Sequence, residues 1–254
     1  MSPILISTTV VFGLLVGSFI NVVIYRLPRG QSIVGPRSFC PQCKKKIRWY
    51  ENIPVFSYIF LRGKCNGCGG HIVARYPIVE MVGGALALLV LYRFGLSIDA
   101  AFVFSFLMAL LAVTFIDWSH RIIPDEISLS FILIGFVWSF INTDVSPLSS
   151  VMGAVTGGGG LYVVGLVYRL IRHAEGMGGG DIKLMAMIGA CLGLKLVLPV
   201  IVIASFFGSI YGVALIRSGK GGKAAVAFGS FLAPSAAFCL LYGSKLLTWY
   251  FGRY

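Results

Sequence analysis

Acidic residues are what this chain has least of. Asp and Glu number 9 in 254 residues, against 21 Lys and Arg and only 3 His. Charged residues make up 12% of the sequence, where an ordinary soluble domain carries about a quarter. That shortage argues against a soluble protein with a solvated surface. The three histidines form no HExxH pattern, which argues against a zinc protease. A G-x-S-x-G nucleophile elbow and a Walker loop are also missing, and no serine stands out as a nucleophile. No internal repeat is evident.

What the chain has instead is apolar length. It is 57% hydrophobic, with a mean hydropathy of +0.90. Runs of about 20 apolar residues recur, each enough to cross a bilayer core. They predict an all-α polytopic membrane protein of about eight transmembrane helices, at 3–25, 77–94, 98–118, 127–143, 148–171, 182–194, 197–217 and 226–250. The first run lacks a basic n-region and a small-x-small cleavage site, so it reads as a retained helix rather than a signal peptide. The sixth is short and follows a glycine run, which suggests a broken or re-entrant segment set against protein or a wet cavity. Within the fifth, "GAVTGGGG" (153–160) suggests close helix packing through small residues. With the N-terminus placed outside, all but four of the 21 Lys and Arg (Arg93, Lys195, Lys245 and Arg253) fall on the inner side. The net charge of +12 then reflects topology and affinity for anionic membrane lipids rather than a nucleic-acid partner.

One long polar segment interrupts the helices. The chain divides into a first transmembrane helix (1–26), a four-cysteine segment on the cytoplasmic side (27–75), and a transmembrane helical core (76–254). Cys40 and Cys43 form one CxxC and Cys65 and Cys68 another, with 21 residues between the pairs. Two such pairs supply four thiolates for a tetrahedral site, so zinc is expected in a structural role. A segment this short has too little core to fold alone, and a metal can make up the deficit. A reducing cytosol argues against disulfides. Lys44, Lys45, Lys46, Arg62 and Lys64 crowd the cysteines and favour thiolates. Cys191 and Cys239 stand alone in spans as packing residues.

The few acids then sort by position. Asp99 and Asp144 fall in outer loops, and Glu51 and Glu175 in inner ones. Asp125 and Glu126 open a helix, where capping is the expected role. Glu80 falls near the start of a span, where a carboxylate usually has a reason and where the milder reading is helix-dipole complementarity. Asp117 ends an unbroken apolar helix. Asp181 follows the run "GMGGG" (176–180) and opens the sixth span. Both reach the inner membrane boundary, from opposite directions along the chain. Two carboxylates in one low-dielectric site cannot both ionise easily, so their titrations couple. One then activates water while its protonated partner donates to a scissile carbonyl, the arrangement of an aspartic protease. The rival readings are a transporter or channel using these acids as ion or proton sites, and a methyltransferase whose aspartates are structural. The missing repeat and the cysteine segment weigh against a transporter.

At these residues the chain resembles the type IV prepilin peptidases, membrane aspartyl proteases with a GxGD signature. The resemblance rests on "GSFINVVIYRLP" (17–28), both CxxC pairs, "NIPVFSY" (52–58), "RYPIVE" (75–80), the Asp117 segment through "IPD", and "GGGD" with Lys183. It implies cleavage of the basic leader from type IV prepilins or type II secretion pseudopilins at the inner membrane. Asp117 and Asp181 would be the catalytic pair, with Gly178 and Gly180 as the signature glycines and Lys183 and Glu80 in support. It also implies N-methylation of the new terminus with S-adenosylmethionine as donor, to which Gly63 and Lys64 would contribute.

Overall fold

The computed structural model describes residues 1–173, 177–218 and 227–252. Its framework is helical: α1 (Pro3–Arg26), the short α2 (Phe56–Phe60), α3 (Arg75–Phe94), α4 (Ile98–His120), α5 (Asp125–Trp138), α6 (Pro147–Arg172), α7 (Gly179–Leu192), α8 (Leu194–Arg217) and α9 (Gly229–Phe251). The chain forms two compact units, Met1–Met108 and Ala109–Tyr254, and α4 passes from the first into the second.

Among the described residues, five helices are long and apolar enough to cross a membrane: α1 extended to Arg29, α3, α4, α6 and α8. Each lies within a few residues of an expected span. The other three expected spans are not full crossings among the described residues, and the sixth is short, as expected. The helices of 127–143 and 182–194 have 14 residues each, or about 21 Å at 1.5 Å per residue. The span at 226–250 corresponds to α9, which runs from Gly229 to Phe251. Hydropathy could not distinguish a full crossing from a short helix walled in by protein, because both are apolar throughout.

In the first unit α1 packs directly on α3. The contact is glycine against glycine: a methyl group added at Gly13 would meet the Gly83 carbonyl, and one at Gly17 would meet the Glu80 backbone at 2.8 Å. Between membrane helices no solvent drives apolar faces together, so close backbone approach supplies the packing energy instead. The other face of α1 presents Val11, Phe12, Leu15 and Phe19 outward, as a lipid-facing surface does.

The second unit is built round α7, which touches α5, α6, α8 and α9. Leu184, Met185, Met187 and Ile188 are fully buried there. A short helix is tolerated at membrane depth when protein surrounds it in this way. The α6 contact is the small-residue packing that "GAVTGGGG" suggests. A Cβ at Gly153 would strike the Gly189 carbonyl, and one at Gly157 would lie 2.8 Å from the Met185 carbonyl. Cys191 and Cys239 are buried, as packing residues should be, and the Cys191 thiol lies 3.3 Å from the Phe131 carbonyl.

Candidate active site and metal centre

Asp117 stands in the last turn of α4 and is only 4% exposed. Its partner is the start of α9. The Ser230 backbone N–H donates to Asp117 Oδ2 at 2.7 Å, and the Ser230 hydroxyl donates to the same oxygen at 3.0 Å. An N–H at a helix start has no acceptor within its own helix, so a carboxylate is a natural partner.

Asp181 is the third residue of α7. Gly178 occupies the cap position and offers no side-chain cap, and Asp181 itself points elsewhere. Its carboxylate interacts with the Gly229 backbone N–H and feels the charge of Asp117. The structure therefore brings the two aspartates together, and consecutive residues of α9, Gly229 and Ser230, serve one each.

The glycines have definite neighbours. A Cβ on Gly180 would press on Ile123 at 3.2 Å, and one on Gly229 would meet Ile123 at 2.8 Å and Asp117 Oδ2 at 3.0 Å. Ile123 thus wedges between the Asp181 turn and the α9 start, and both glycines are needed for close approach. Gly178 faces Asp181, while Gly179 has open space. Of the run "GMGGG" (176–180), Gly176 lies outside the described residues, as does Glu175.

Sequence reasoning missed Gly229 and Ser230. They sit in an unremarkable "AFGSFLAP" stretch (227–234), and only the fold places it beside Asp117. The expected cap role of Asp125 is also corrected. Pro124 holds the cap position and no side chain caps α5. Asp125 instead pairs with Lys183, whose ammonium reaches both carboxylate oxygens at 2.7 and 2.8 Å. The N-terminal ends of α5 and α7 are tied together by that ion pair.

Glu80, expected near a helix start, falls in the second turn of α3. It does not serve the helix end. Its carboxylate accepts the Val55 backbone N–H at 2.7 Å and a bond from the Ser18 side chain. It thereby anchors the segment before α2 to the α1–α3 pair. Val55 has a φ of +64°, a strained value for a β-branched residue, so this anchor holds a costly turn.

The four cysteines converge. Their Sγ atoms all lie within 4.8 Å of one another, where a tetrahedral zinc–thiolate shell needs about 3.8 Å. Two matching turns present them. In one, the Cys40 N–H bonds the Lys45 carbonyl and the Lys44 N–H bonds the Cys40 carbonyl, each at 2.9 Å; in the other, Cys65 pairs with Gly70 at 2.8 Å and Gly69 with Cys65 at 2.9 Å. Isolated antiparallel bridges, Phe39 with Lys46 and Lys64 with His71, flank the turns. Lys44 and Gly69 take the equivalent left-handed position, at φ 60° and 68°. Backbone N–H groups of Gly67 and Cys68 draw the Cys65 thiol down to about 7, which readies it as a thiolate ligand. Four sulfur donors in this geometry can bind a metal and leave no open position for catalysis. Gly63 also adopts a left-handed turn, with φ +66°. Lys64 follows it and forms the isolated bridge with His71.

Taken together, the fold and these groups define a polytopic α-helical membrane protein with a buried and a half-buried aspartate facing one helix start, and four cysteines placed to bind a metal. Comparison with known proteins names the class. The model of the bacterial peptidase A24 N-terminal domain matches residues 11–94, and that of the type IV leader peptidase family matches 104–213. The chain is 35% identical to a prepilin leader peptidase/N-methyltransferase of Dichelobacter nodosus, covering 92% of this chain and 91% of that one. Proteins of the same description from Pseudomonas putida and Burkholderia pseudomallei are 34% and 37% identical, over 95% and 92% of this chain and 92% and 84% of theirs. No solved structure gives a significant match. The chain belongs to the type IV leader peptidase family.

Proposed function

We propose that this protein cleaves the basic leader from type IV prepilins or type II secretion pseudopilins in the bacterial inner membrane, and methylates the new N-terminal amine. The observation that carries the peptidase half is the meeting of the buried Asp117 and the half-buried Asp181, far apart in sequence, with a donor from α9 for each. Two close carboxylates share a proton. One takes the proton of a water as its oxygen attacks the scissile carbonyl carbon; the other donates to the carbonyl oxygen. The C–N bond then breaks with proton transfer to the leaving nitrogen. Gly178, Gly180 and Lys183 hold this geometry rather than react: Gly180 by admitting Ile123, and Lys183 by fixing α7 to α5.

The proposed topology has the N-terminus in the periplasm, with the cysteine segment and aspartates towards the cytoplasm. An apolar prepilin helix in the bilayer would then present its leader junction at the depth of the pair. Zinc is the metal proposed for the four thiols. The methyl donor proposed is S-adenosylmethionine, which would supply an electrophilic methyl group for the new amine and leave as a neutral thioether; the cysteine segment with Gly63 and Lys64 would help to hold it. The full-length relatives described as leader peptidase/N-methyltransferases support this pairing of activities. The transporter reading gains no support from any relative.

The test uses purified protein with a full-length prepilin. Asp117→Asn and Asp181→Asn are each expected to lower the cleavage rate by at least about 10³, as removal of one member of a catalytic unit does. Cleavage that survives in either variant would remove that residue from the pair.

A further inference from the structure

The N-terminal unit contains a cavity of about 430 Å³, within the roughly 300–1,000 Å³ typical of small-molecule sites. The inner ends of α1 and α3 form part of its wall, and the cysteine turns and the α2 segment form the rest. Three of its polar groups are set up for a ligand. Asn21 is 2% exposed; its Nδ2 donates to the Tyr76 carbonyl at 3.0 Å, yet its Oδ1 is buried without a partner. Arg75 Nε is likewise a buried donor without an acceptor. Leaving a buried polar group unsatisfied is costly, and a ligand that pairs with it recovers that cost. Glu80, also in the wall, is a buried carboxylate that no cation pairs with among the described residues.

These groups match one kind of molecule: a cation that also carries an amino group and a carboxylate. We propose that this cavity binds S-adenosylmethionine, with Glu80 beside the sulfonium, Asn21 Oδ1 accepting from an amino group and Arg75 Nε donating to the carboxylate. The proposal rests on the methyltransferase reading above and adds where the donor binds and which residues hold it. It also gives Gly63 a role. Gly63 and Lys64 are not in the cavity wall, but a Cβ on Gly63 would lie 3.1 Å from the hydroxyl of Tyr58, which is. Gly63 is therefore a positioning residue for the Tyr58 ring, and an aromatic face suits a sulfonium.

Titration calorimetry on the purified full chain, with S-adenosylmethionine and its neutral product S-adenosylhomocysteine, tests this. The wild type should bind the sulfonium more tightly than the thioether. Glu80→Gln keeps an acceptor for the Val55 N–H and removes only charge, so the preference should fall by about tenfold. Arg75→Met should weaken both ligands alike, since both carry the carboxylate. Misfolding would abolish both affinities rather than change their ratio in one variant only. Wild-type affinity for the donor with both variants unchanged, or an equal loss of both ligands in Glu80→Gln, would overturn the cavity assignment alone. A wild type that binds neither ligand would overturn the methyltransferase reading, and this proposal with it.

Discussion

Ser230 bears most directly on Asp117. It places two donors on one carboxylate oxygen, and its hydroxyl is the one that substitution can remove. Ser230→Ala should lower kcat for leader cleavage by about tenfold, near the effect of a lost hydrogen bond to a charged group, with KM nearly unchanged. Ser230→Thr should recover most of it. Steady-state kinetics on the purified variants would show this. Gly229→Ala should be more damaging, because the added methyl would press on both Ile123 and Asp117, whereas Gly179→Ala meets open space and should cost little. Among site residues, the two aspartates were legible because an acid in an apolar run is conspicuous. Ser230 and Gly229 were not, since a serine at a helix start is ordinary and only tertiary contact gives it an acid to bind.

At the scale of elements, the cysteine turns were the most legible feature, because CxxC spacing prescribes its own local geometry. Loss of one ligand should release the metal. Cys65→Ser is expected to reduce zinc from about one per chain to near none, measured by elemental analysis of purified protein. Should methylation fail while cleavage persists, the two activities are separable; loss of both would mean the metal supports the whole enzyme. The α5–α7 tie was not legible. Asp125 and Lys183 are 58 residues apart, and helix-start acids usually cap. Their side chains are 53% and 45% exposed, so the pair adds at most about 1 kcal/mol to stability. A double-mutant cycle of Asp125→Asn and Lys183→Met should find a coupling of that size in thermal unfolding. A larger loss in cleavage than in stability would place the pair's value in holding the Asp181 turn.

At the scale of the whole molecule, helix order and five of the eight spans followed from hydropathy. Of the remaining three, α5 is shorter than its expected span, α7 is short as expected but begins at Gly179, and α9 opens three residues later than expected. The α1–α3 contact through Gly13, Gly17, Gly83 and Gly84 also went unread, since glycine in an apolar helix looks alike whether it packs or not. What unites the molecule is the aspartate pair. Intact-mass measurement of a prepilin co-expressed with this protein tests it most directly. The account predicts a leaderless, singly methylated pilin with the wild type, and a full-length prepilin with Asp117→Asn or Asp181→Asn. A leaderless product in either variant would contradict it.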